Sequence, residues 1–226
     1  MVVTIPQLLS AAQVAEFQAV LGSAQWIDGK ATAGYLSSRT KNNEQIREDE
    51  PIARRLGGVI QAELDKNQIF IAAALPLKVL PPLFNRYIGG QSYGAHIDGA
   101  VRPLADTHHR VRTDLSATIF LTNPADYDGG ELVIGRGEEE KKVKLPAGDM
   151  VLYGGGTVHH VMPVTRGVRF AAFFWVQSMV RAASRREILF DLDGTIQQLG
   201  HTGADHACCV RLAGLYHNLL RQWVDT

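Results

Sequence analysis

The chain has 226 residues, 46% of them hydrophobic and 20% charged, which suits one large domain or one domain with a helical extension. Its 23 basic and 23 acidic residues give a formal charge of zero, so no global charge steers it to nucleic acid or to an anionic membrane. No signal peptide is read at the N-terminus, and the longest apolar stretch, residues 69–77, is far shorter than the roughly 20 residues of a spanning helix. The adjacent Cys208 and Cys209 fit free thiols in a reducing compartment, so we expect a soluble cytoplasmic protein.

Two helices are predicted in the first third of the chain. Ser10 and Gln13 have the spacing of a capping box, which opens a helix that ends near Gly22. A second helix is predicted from about Pro51 to Lys66, because apolar residues recur there at four-residue steps and proline suits a first helical turn.

From about Leu77 the pattern changes to short apolar runs separated by Gly, Pro, Asn and Asp. The predicted strands are 83–88, 93–98, 114–122, 131–134, 141–145, 150–153, 158–162 and 168–177. About eight strands without interleaved helices favour a sandwich or a jelly-roll barrel. The sequence therefore predicts a mainly β fold with flanking helices.

Helical patterning returns after Gln177. Leu212, Leu215, Leu219 and Trp223 step along one face of a final amphipathic helix. We expect residues 1–178 to form the main domain and residues 179–226 a C-terminal helical extension. The terminal helices offer a surface for a homo-oligomer.

One ordered set of side chains within the predicted strands indicates a metal site. His96 and Asp98 are two residues apart, so on a strand they point the same way, and His159 adds a second imidazole. Two histidines and one carboxylate suit non-heme Fe(II), because they leave coordination positions open for a co-substrate and dioxygen. The pair alone is a weak signal, and the ordered addition of His159 and Arg169 makes the pattern much more specific.

His160 leaves the choice of the second histidine open. Neighbouring residues on a strand face opposite ways, so only one of His159 and His160 can bind the metal. The spacing to Arg169 favours His159.

Arg169 lies in the almost wholly apolar run 168–175. A guanidinium buried there needs an anionic partner. Its planar fork suits the carboxylate of a dicarboxylate co-substrate.

Three segments carry a resemblance to a known family: Tyr-(x)5-Tyr-Gly-Ala-His-Ile-Asp at 87–98, Asp-Gly-Gly-Glu-Leu at 128–132, and 158–169 with its histidine and arginine. The chain resembles, over nearly its whole length, the PKHD-type hydroxylases. These are bacterial members of the prolyl-4-hydroxylase-like branch of the Fe(II)/2-oxoglutarate dioxygenases. The glycine-rich residues 154–156 depart from the family, which has Pro and small polar residues there.

The resemblance implies a double-stranded β-helix core, with Fe(II) on His96, Asp98 and His159. It implies that Arg169 binds 2-oxoglutarate, with Tyr87 as a second contact. The implied activity is hydroxylation of a small molecule or peptide by dioxygen, with decarboxylation of 2-oxoglutarate to succinate and CO2. Ascorbate is the implied supporting reductant.

The segment from Gly99 to Thr113 follows the predicted metal strand and is rich in charge. It is predicted to lie at the cavity mouth as a substrate loop that favours anionic or polar groups. A solvated charged loop is the alternative interpretation. The residues concerned are Arg102, Asp106, His108, His109, Arg110 and Arg112.

The same residues disfavour three other functions. A non-catalytic jelly-roll binding module has no reason to keep three metal ligands and an arginine. A cupin-like metal enzyme without a keto acid usually has two histidines close together in its first motif, which this chain lacks. Asp191 and Asp193 resemble the first motif of haloacid-dehalogenase-like phosphatases, but only 31 residues follow Thr195, too few for that fold.

Overall fold

The computed structural model describes residues 1–32, 34, 37–104, 107–203 and 205–225. The α-helices within these residues are α1 (Ala11–Gly22), α2 (Pro51–Leu64), α3 (Gln68–Ala74), α4 (Ala183–His201) and α5 (His206–Trp223). The strands, in chain order, are β1 (Val2–Ile5), β2 (Ile27–Asp28), β3 (Lys41–Asn42), β4 (Glu44–Gln45), β5 (Pro76–Val79), β6 (Leu83–Ile88), β7 (Ser92–His96), β8 (Val101–Pro103), β9 (Arg110–Arg112), β10 (Leu115–Phe120), β11 (Asp128–Gly129), β12 (Leu132–Ile134), β13 (Lys141–Val143), β14 (Met150–Gly154), β15 (His159–Val161), β16 (Val164–Arg166) and β17 (Val168–Ser178).

Two antiparallel sheets form the centre of the molecule. The major sheet has the strand order β1-β14-β10-β17-β6-β4-β2, with β5 also paired to β17. The minor sheet has the order β13-β12-β15-β7-β3, and β8-β9 and β11-β16 form two small ribbons. Tyr87 and Phe120 of the major sheet pack with Leu132 and Val161 of the minor sheet in one buried cluster. This is the mainly β architecture with flanking helices that the sequence predicts.

Strand β17 separates the hydrophobic core from the cavity between the sheets. Ala172 and Val176 belong to the apolar cluster that includes the buried faces of α1, α2 and α3. Arg169, Phe173 and Trp175 line the cavity on the opposite face. The two sets alternate because successive strand side chains point to opposite faces.

The two predicted N-terminal helices are present. The Oγ of Ser10 accepts a 3.3 Å hydrogen bond from the Gln13 amide, and Gln13 Oε1 accepts a 2.8 Å bond from the Ser10 amide, which completes the capping box. Helix α2 begins at Pro51 as predicted and ends at Leu64, two residues before the predicted end at Lys66.

All eight predicted strands are present, and their ends differ from the prediction by at most two residues. The sequence did not predict helix α3 or the short strands β1, β2, β3, β4, β5, β8, β9, β11 and β16. Helix α3 has only seven residues and is almost wholly apolar, so it shows no amphipathic period. Its start is nevertheless fixed by a side-chain cap, because Asn67 Oδ1 accepts a 2.9 Å hydrogen bond from the Phe70 amide.

Helices α4 and α5 follow the β-region and pack against it through a small cluster in which Leu75, Val180 and Leu189 are buried. The buried Arg186 joins α4 to the end of the sheet region, since its Nη1 donates to the carbonyl oxygens of Val180 at 2.7 Å and Arg181 at 2.8 Å. No helix in the described part of the chain has the length and apolarity needed to cross a membrane.

Candidate active site

Two histidines face each other across neighbouring strands of the minor sheet. His96 ends β7, His159 begins β15, and the two residues are paired in the sheet. Asp98 approaches both: its Oδ1 lies 3.9 Å from His96 Nε2, and its Oδ2 lies 3.7 Å from His159 Nε2. One ligand atom from each of the three residues lies within 4.8 Å of the other two. This arrangement fits a single metal ion.

Backbone carbonyl groups fix the orientation of both imidazole rings. His96 Nδ1 lies 2.8 Å from the Gly94 oxygen, and His159 Nδ1 lies 3.0 Å from the Thr157 oxygen. A carbonyl oxygen can only accept a hydrogen bond, so in each histidine Nδ1 carries the proton and donates that bond to the carbonyl oxygen. The Nε2 lone pairs are then directed at the shared centre, and such outer contacts commonly orient metal-binding histidines.

The sequence predicted that Asp98 lies on the same strand as His96, but in the structure it does not. Strand β7 ends at His96, and the chain leaves the minor sheet before Asp98. The Oγ of Ser116, on β10 of the major sheet, donates a 2.6 Å hydrogen bond to Asp98 Oδ2. The carboxylate is therefore positioned by a contact between the sheets, whereas the prediction relied on strand alternation.

The surroundings of His96 favour the neutral imidazole. Burial, followed by the neighbouring His159, lowers the pKa of His96 to about 4. The ring of Tyr93 stacks on the His96 ring at a centroid distance of 3.7 Å and an interplanar angle of 17°. A neutral, rigidly held imidazole is the form that binds a metal ion.

His160 points away from the cluster. Along β15 the pattern is buried, half-buried and buried, and His160 occupies the middle position. The residue is paired with Val133 of β12, while His159 is the one grouped with His96 and Asp98. The geometry thus agrees with the preference for His159.

Arg169 lies in the same cavity on β17 of the major sheet and is only 1% exposed. Its guanidinium carbon lies 5.3 Å from the ring centre of Tyr87 and 5.2 Å from that of Phe120. Its buried Nε and Nη2 have no hydrogen-bond partner among the described residues. Two unpaired donors on a buried cation fit a carboxylate ligand, which accepts from both at once.

Tyr87 and Gly130 shape the space around Arg169. Tyr87 is fully buried opposite Arg169 on β6, and burial raises its pKa to about 12, so it is a neutral hydroxyl. Gly130 has a φ of +68°, and a Cβ placed there would meet the Arg169 side chain at 3.0 Å. The absence of a side chain at this position leaves room for the aliphatic part of the Arg169 side chain.

The residues of the predicted substrate loop differ in their position relative to the cavity. Arg102, on β8, lines the cavity that contains the metal cluster. His108, His109 and Arg110 are exposed and line neither that cavity nor the neighbouring one, because they lie at the outer end of the β8-β9 ribbon. Asp106 lies outside the described residues.

Several residues of the site were not predicted. Ser116, Lys41 and Trp175 line the cavity, and none belongs to a sequence motif. A second cavity of about 510 Å³ lies between α2 and the segment before β6. Arg102 and Trp175 line both cavities and therefore stand at their junction.

The phosphatase-like segment and the cysteines take no part in this site. Asp191 and Asp193 lie on helix α4. The phosphatase motif would instead place them at the end of a strand. Cys208 and Cys209 are both free thiols on α5, as predicted.

Comparison with known proteins adds the family. Residues 82–177 match the 2OG-Fe(II) oxygenase superfamily, and residues 184–225 match the PKHD-type hydroxylase C-terminal domain. PKHD-type hydroxylases from Bordetella pertussis and Methylobacillus flagellatus are each 52% identical to this chain, over 225 and 227 residues, with all of both chains covered. The PKHD-type hydroxylase PiuC of Pseudomonas aeruginosa is 52% identical over 225 residues, again with full coverage of both chains.

Solved structures show the same fold at lower sequence identity. A prolyl-4-hydroxylase from Pseudomonas putida has a TM-score of 0.51 and 19% identity, covering 78% of this chain and 92% of its own. HygX from Streptomyces hygroscopicus, solved with nickel, 2-oxoglutarate and hygromycin B bound, has a TM-score of 0.54 and 15% identity, covering 78% and 82%. The fold is therefore the jelly roll of the 2OG-Fe(II) oxygenases. Together with the full-length relatives, these findings show that the chain belongs to the PKHD-type hydroxylase family of 2OG-Fe(II) dioxygenases.

Proposed function

We propose that this protein hydroxylates its substrate with Fe(II) held by His96, Asp98 and His159, and with 2-oxoglutarate bound by Arg169. The observation that carries the proposal is the buried guanidinium of Arg169, whose Nε and Nη2 have no hydrogen-bond partner in the described part of the chain. An unpaired buried cation costs several kcal/mol, and a bound carboxylate removes that penalty. The neighbouring His-Asp-His cluster supports a metal ion in the same cavity.

When bound, Fe(II) and 2-oxoglutarate supply the oxidising chemistry, in which 2-oxoglutarate is decarboxylated to succinate and CO2 and the substrate gains one oxygen atom of O2. The protein's own residues orient the reactants. His96 and His159 present Nε2 because their Nδ1 atoms are engaged by carbonyls, and Ser116 holds the Asp98 carboxylate. Arg169, with Tyr87 beside it, fixes one carboxylate of 2-oxoglutarate, and the burial of both residues excludes water.

The remaining parts of the proposal concern the whole protein. We propose a small molecule or a peptide as the substrate, ascorbate as the reductant that sustains turnover, and a location in the cytoplasm. We also propose that residues 1–178 form the oxygenase domain and residues 179–226 its helical extension. A homo-oligomer through the terminal helices stays a prediction.

The test is succinate formation by purified protein supplied with Fe(II), 2-oxoglutarate, ascorbate and pools of peptides or metabolites. We expect His96→Ala, Asp98→Ala and His159→Ala each to abolish succinate formation, because each removes one ligand. His160→Ala is the matched control and should keep most of it. Succinate formation that survives all three ligand substitutions would reject the metal assignment.

A further inference from the structure

The part of the cavity away from Arg169 contains two more cationic side chains. Lys41 on β3 is only 4% exposed, and its Nζ donates a 3.1 Å hydrogen bond to Gln45 Oε1. Arg102 on β8 is half-buried and lies at the junction with the second cavity. Burial, followed by the charge of Arg102, lowers the pKa of Lys41 to about 8. The fold thus tolerates an unfavourable buried ammonium group beside the candidate metal centre, which is typical of functional sites.

These two cations alternate with aromatic rings. Lys41 Nζ lies 6.0 Å from the ring centre of Phe173 and 5.4 Å from that of Tyr93. Phe173 contacts Trp175 edge to face at 5.5 Å, and the Arg102 guanidinium lies 4.1 Å from the Trp175 ring centre. Lys41 and Arg102 thus both border one aromatic wall, which Phe173 and Trp175 form.

This wall is distinct from the proposed 2-oxoglutarate site. Arg169, Phe173 and Trp175 lie on the same face of β17. Phe173 is four residues from Arg169 along the strand, and Trp175 is six residues from it. At the rise of an extended strand these separations are about 13 and 20 Å. A five-carbon dicarboxylate bound to Arg169 and the metal does not extend along the strand as far as Arg102.

The charges of the loaded site favour an additional anion. Lys41, Arg102 and Arg169 are the cations among the described residues lining the cavity, and Asp98 is the acidic residue. On the proposed function, the three positive charges of Fe(II) and Arg169 equal the three negative charges of Asp98 and 2-oxoglutarate. Lys41 and Arg102 then add two positive charges. Glu48 lies 3.6 Å from Arg102, but its side chain is 46% exposed, so solvent weakens that pair.

We infer that the substrate of this hydroxylase carries an anionic group, a carboxylate or a phosphate, that binds between Lys41 and Arg102, with an apolar body against Phe173 and Trp175. The inference rests on the proposed function, because the charge balance assumes bound Fe(II) and 2-oxoglutarate. It deepens that function by naming the chemical class of the substrate.

The test measures binding to protein loaded with Mn(II), which replaces iron without turnover, and saturated with 2-oxoglutarate. The probes, titrated by calorimetry, are three acid–amide pairs: benzoate and benzamide, phenylacetate and phenylacetamide, and 3-phenylpropionate and 3-phenylpropanamide. Phenyl phosphate distinguishes a phosphate site from a carboxylate site. We expect at least one acid, or phenyl phosphate, to bind about tenfold or more tightly than the amides, as a charged hydrogen bond provides.

Lys41→Met and Arg102→Met should each remove most of this preference. Both should leave the affinity for 2-oxoglutarate within about twofold, since the proposed function assigns the co-substrate to Arg169 and the metal. Lys78→Met is the matched control, because Lys78 is exposed on β5, and it should keep the preference. Thermal unfolding confirms that each variant is folded.

The inference fails if no anionic probe binds more tightly than its amide, or if the preference survives both substitutions. It also fails if the acids bind only when 2-oxoglutarate is omitted, because they then occupy the Arg169 site. Loss of 2-oxoglutarate affinity in Lys41→Met would make Lys41 a co-substrate residue and overturn the inference as well. Failure of 2-oxoglutarate to bind the Mn(II)-loaded wild type would instead reject the proposed function, so the two failures are distinguishable.

Discussion

Ser116 acts on the candidate metal centre through one hydrogen bond between the two sheets. Its hydroxyl donates to Asp98 Oδ2 at 2.6 Å, and Asp98 lies beyond the end of β7, where no strand pairing holds it. We predict that Ser116→Ala lowers the affinity for Fe(II) by about 10–100-fold, as is typical when the outer partner of a metal ligand is removed. Anaerobic metal titration measures this, with the exposed Ser184→Ala as control. An affinity within twofold of the wild type would show that Ser116 does not position Asp98.

Lys41 is predicted to lower the stability of the fold at neutral pH. Its folded pKa is about 8, compared with the ordinary value of 10.5, so between these values the unfolded chain binds more protons. Stability therefore rises with pH across this window, and below pH 8 the full penalty of burying the ammonium group is present. Lys41→Met removes the penalty and should raise the free energy of unfolding at pH 7 by on the order of 1–3 kcal/mol.

Urea denaturation of Lys41→Met and wild type from pH 7 to pH 10 checks this prediction. The stability advantage of the variant should shrink above pH 8, as the wild-type lysine loses its proton. The exposed Lys78→Met should show no such dependence. A variant that is less stable than the wild type at pH 7, or an advantage that does not change with pH, would contradict the account.

At the scale of elements, the turn between β11 and β12 determines whether Arg169 can reach its place. A Cβ at Gly130 would lie 3.0 Å from Arg169 Cδ, 2.9 Å from Tyr127 and 2.8 Å from Val164, in addition to the strain of a φ of +68°. We predict that Gly130→Ala lowers the free energy of unfolding by about 1–3 kcal/mol and weakens 2-oxoglutarate binding.

Gly137→Ala separates the two causes. Gly137 has a similar φ of +59°, but a Cβ there would meet no atom within 4 Å. It should therefore share the backbone strain and leave the 2-oxoglutarate affinity unchanged, as measured by calorimetry on the metal-loaded protein. Equal effects of the two substitutions on that affinity would show that contact with Arg169 is not the cause.

For the whole molecule, the sequence was sufficient wherever the signal was local or periodic. The capping box at Ser10 and the apolar run predicted as the strand 168–177 correspond directly to α1 and β17. The order of His96, Asp98, His159 and Arg169 indicated residues that the fold brings into one cavity. Arg169 stood out because an arginine in an apolar strand needs a partner, and this physical reason holds without any structure.

Contacts between distant elements could not be read in this way. A hydrogen bond from Ser116 of the other sheet holds Asp98 near the histidines. Strand alternation predicted the correct ligand, but Asp98 lies beyond the end of β7, so alternation is not what positions it. Lys41 lies on a two-residue strand whose position depends on pairing with β7, so no periodic pattern marks it. His108 and His109 looked equivalent to Arg102 as charged loop residues, but only the pairing of β8 with β9 shows which of them faces the cavity.

The central claim is that one metal ion binds between His96, Asp98 and His159. Anaerobic calorimetric titration with Fe(II) tests it most directly, on the wild type, His159→Ala and the neighbouring control His160→Ala. We predict one site per chain in the wild type and in His160→Ala, and loss of that site in His159→Ala. Retention of the Fe(II) site by His159→Ala, or its loss in His160→Ala, would contradict the account.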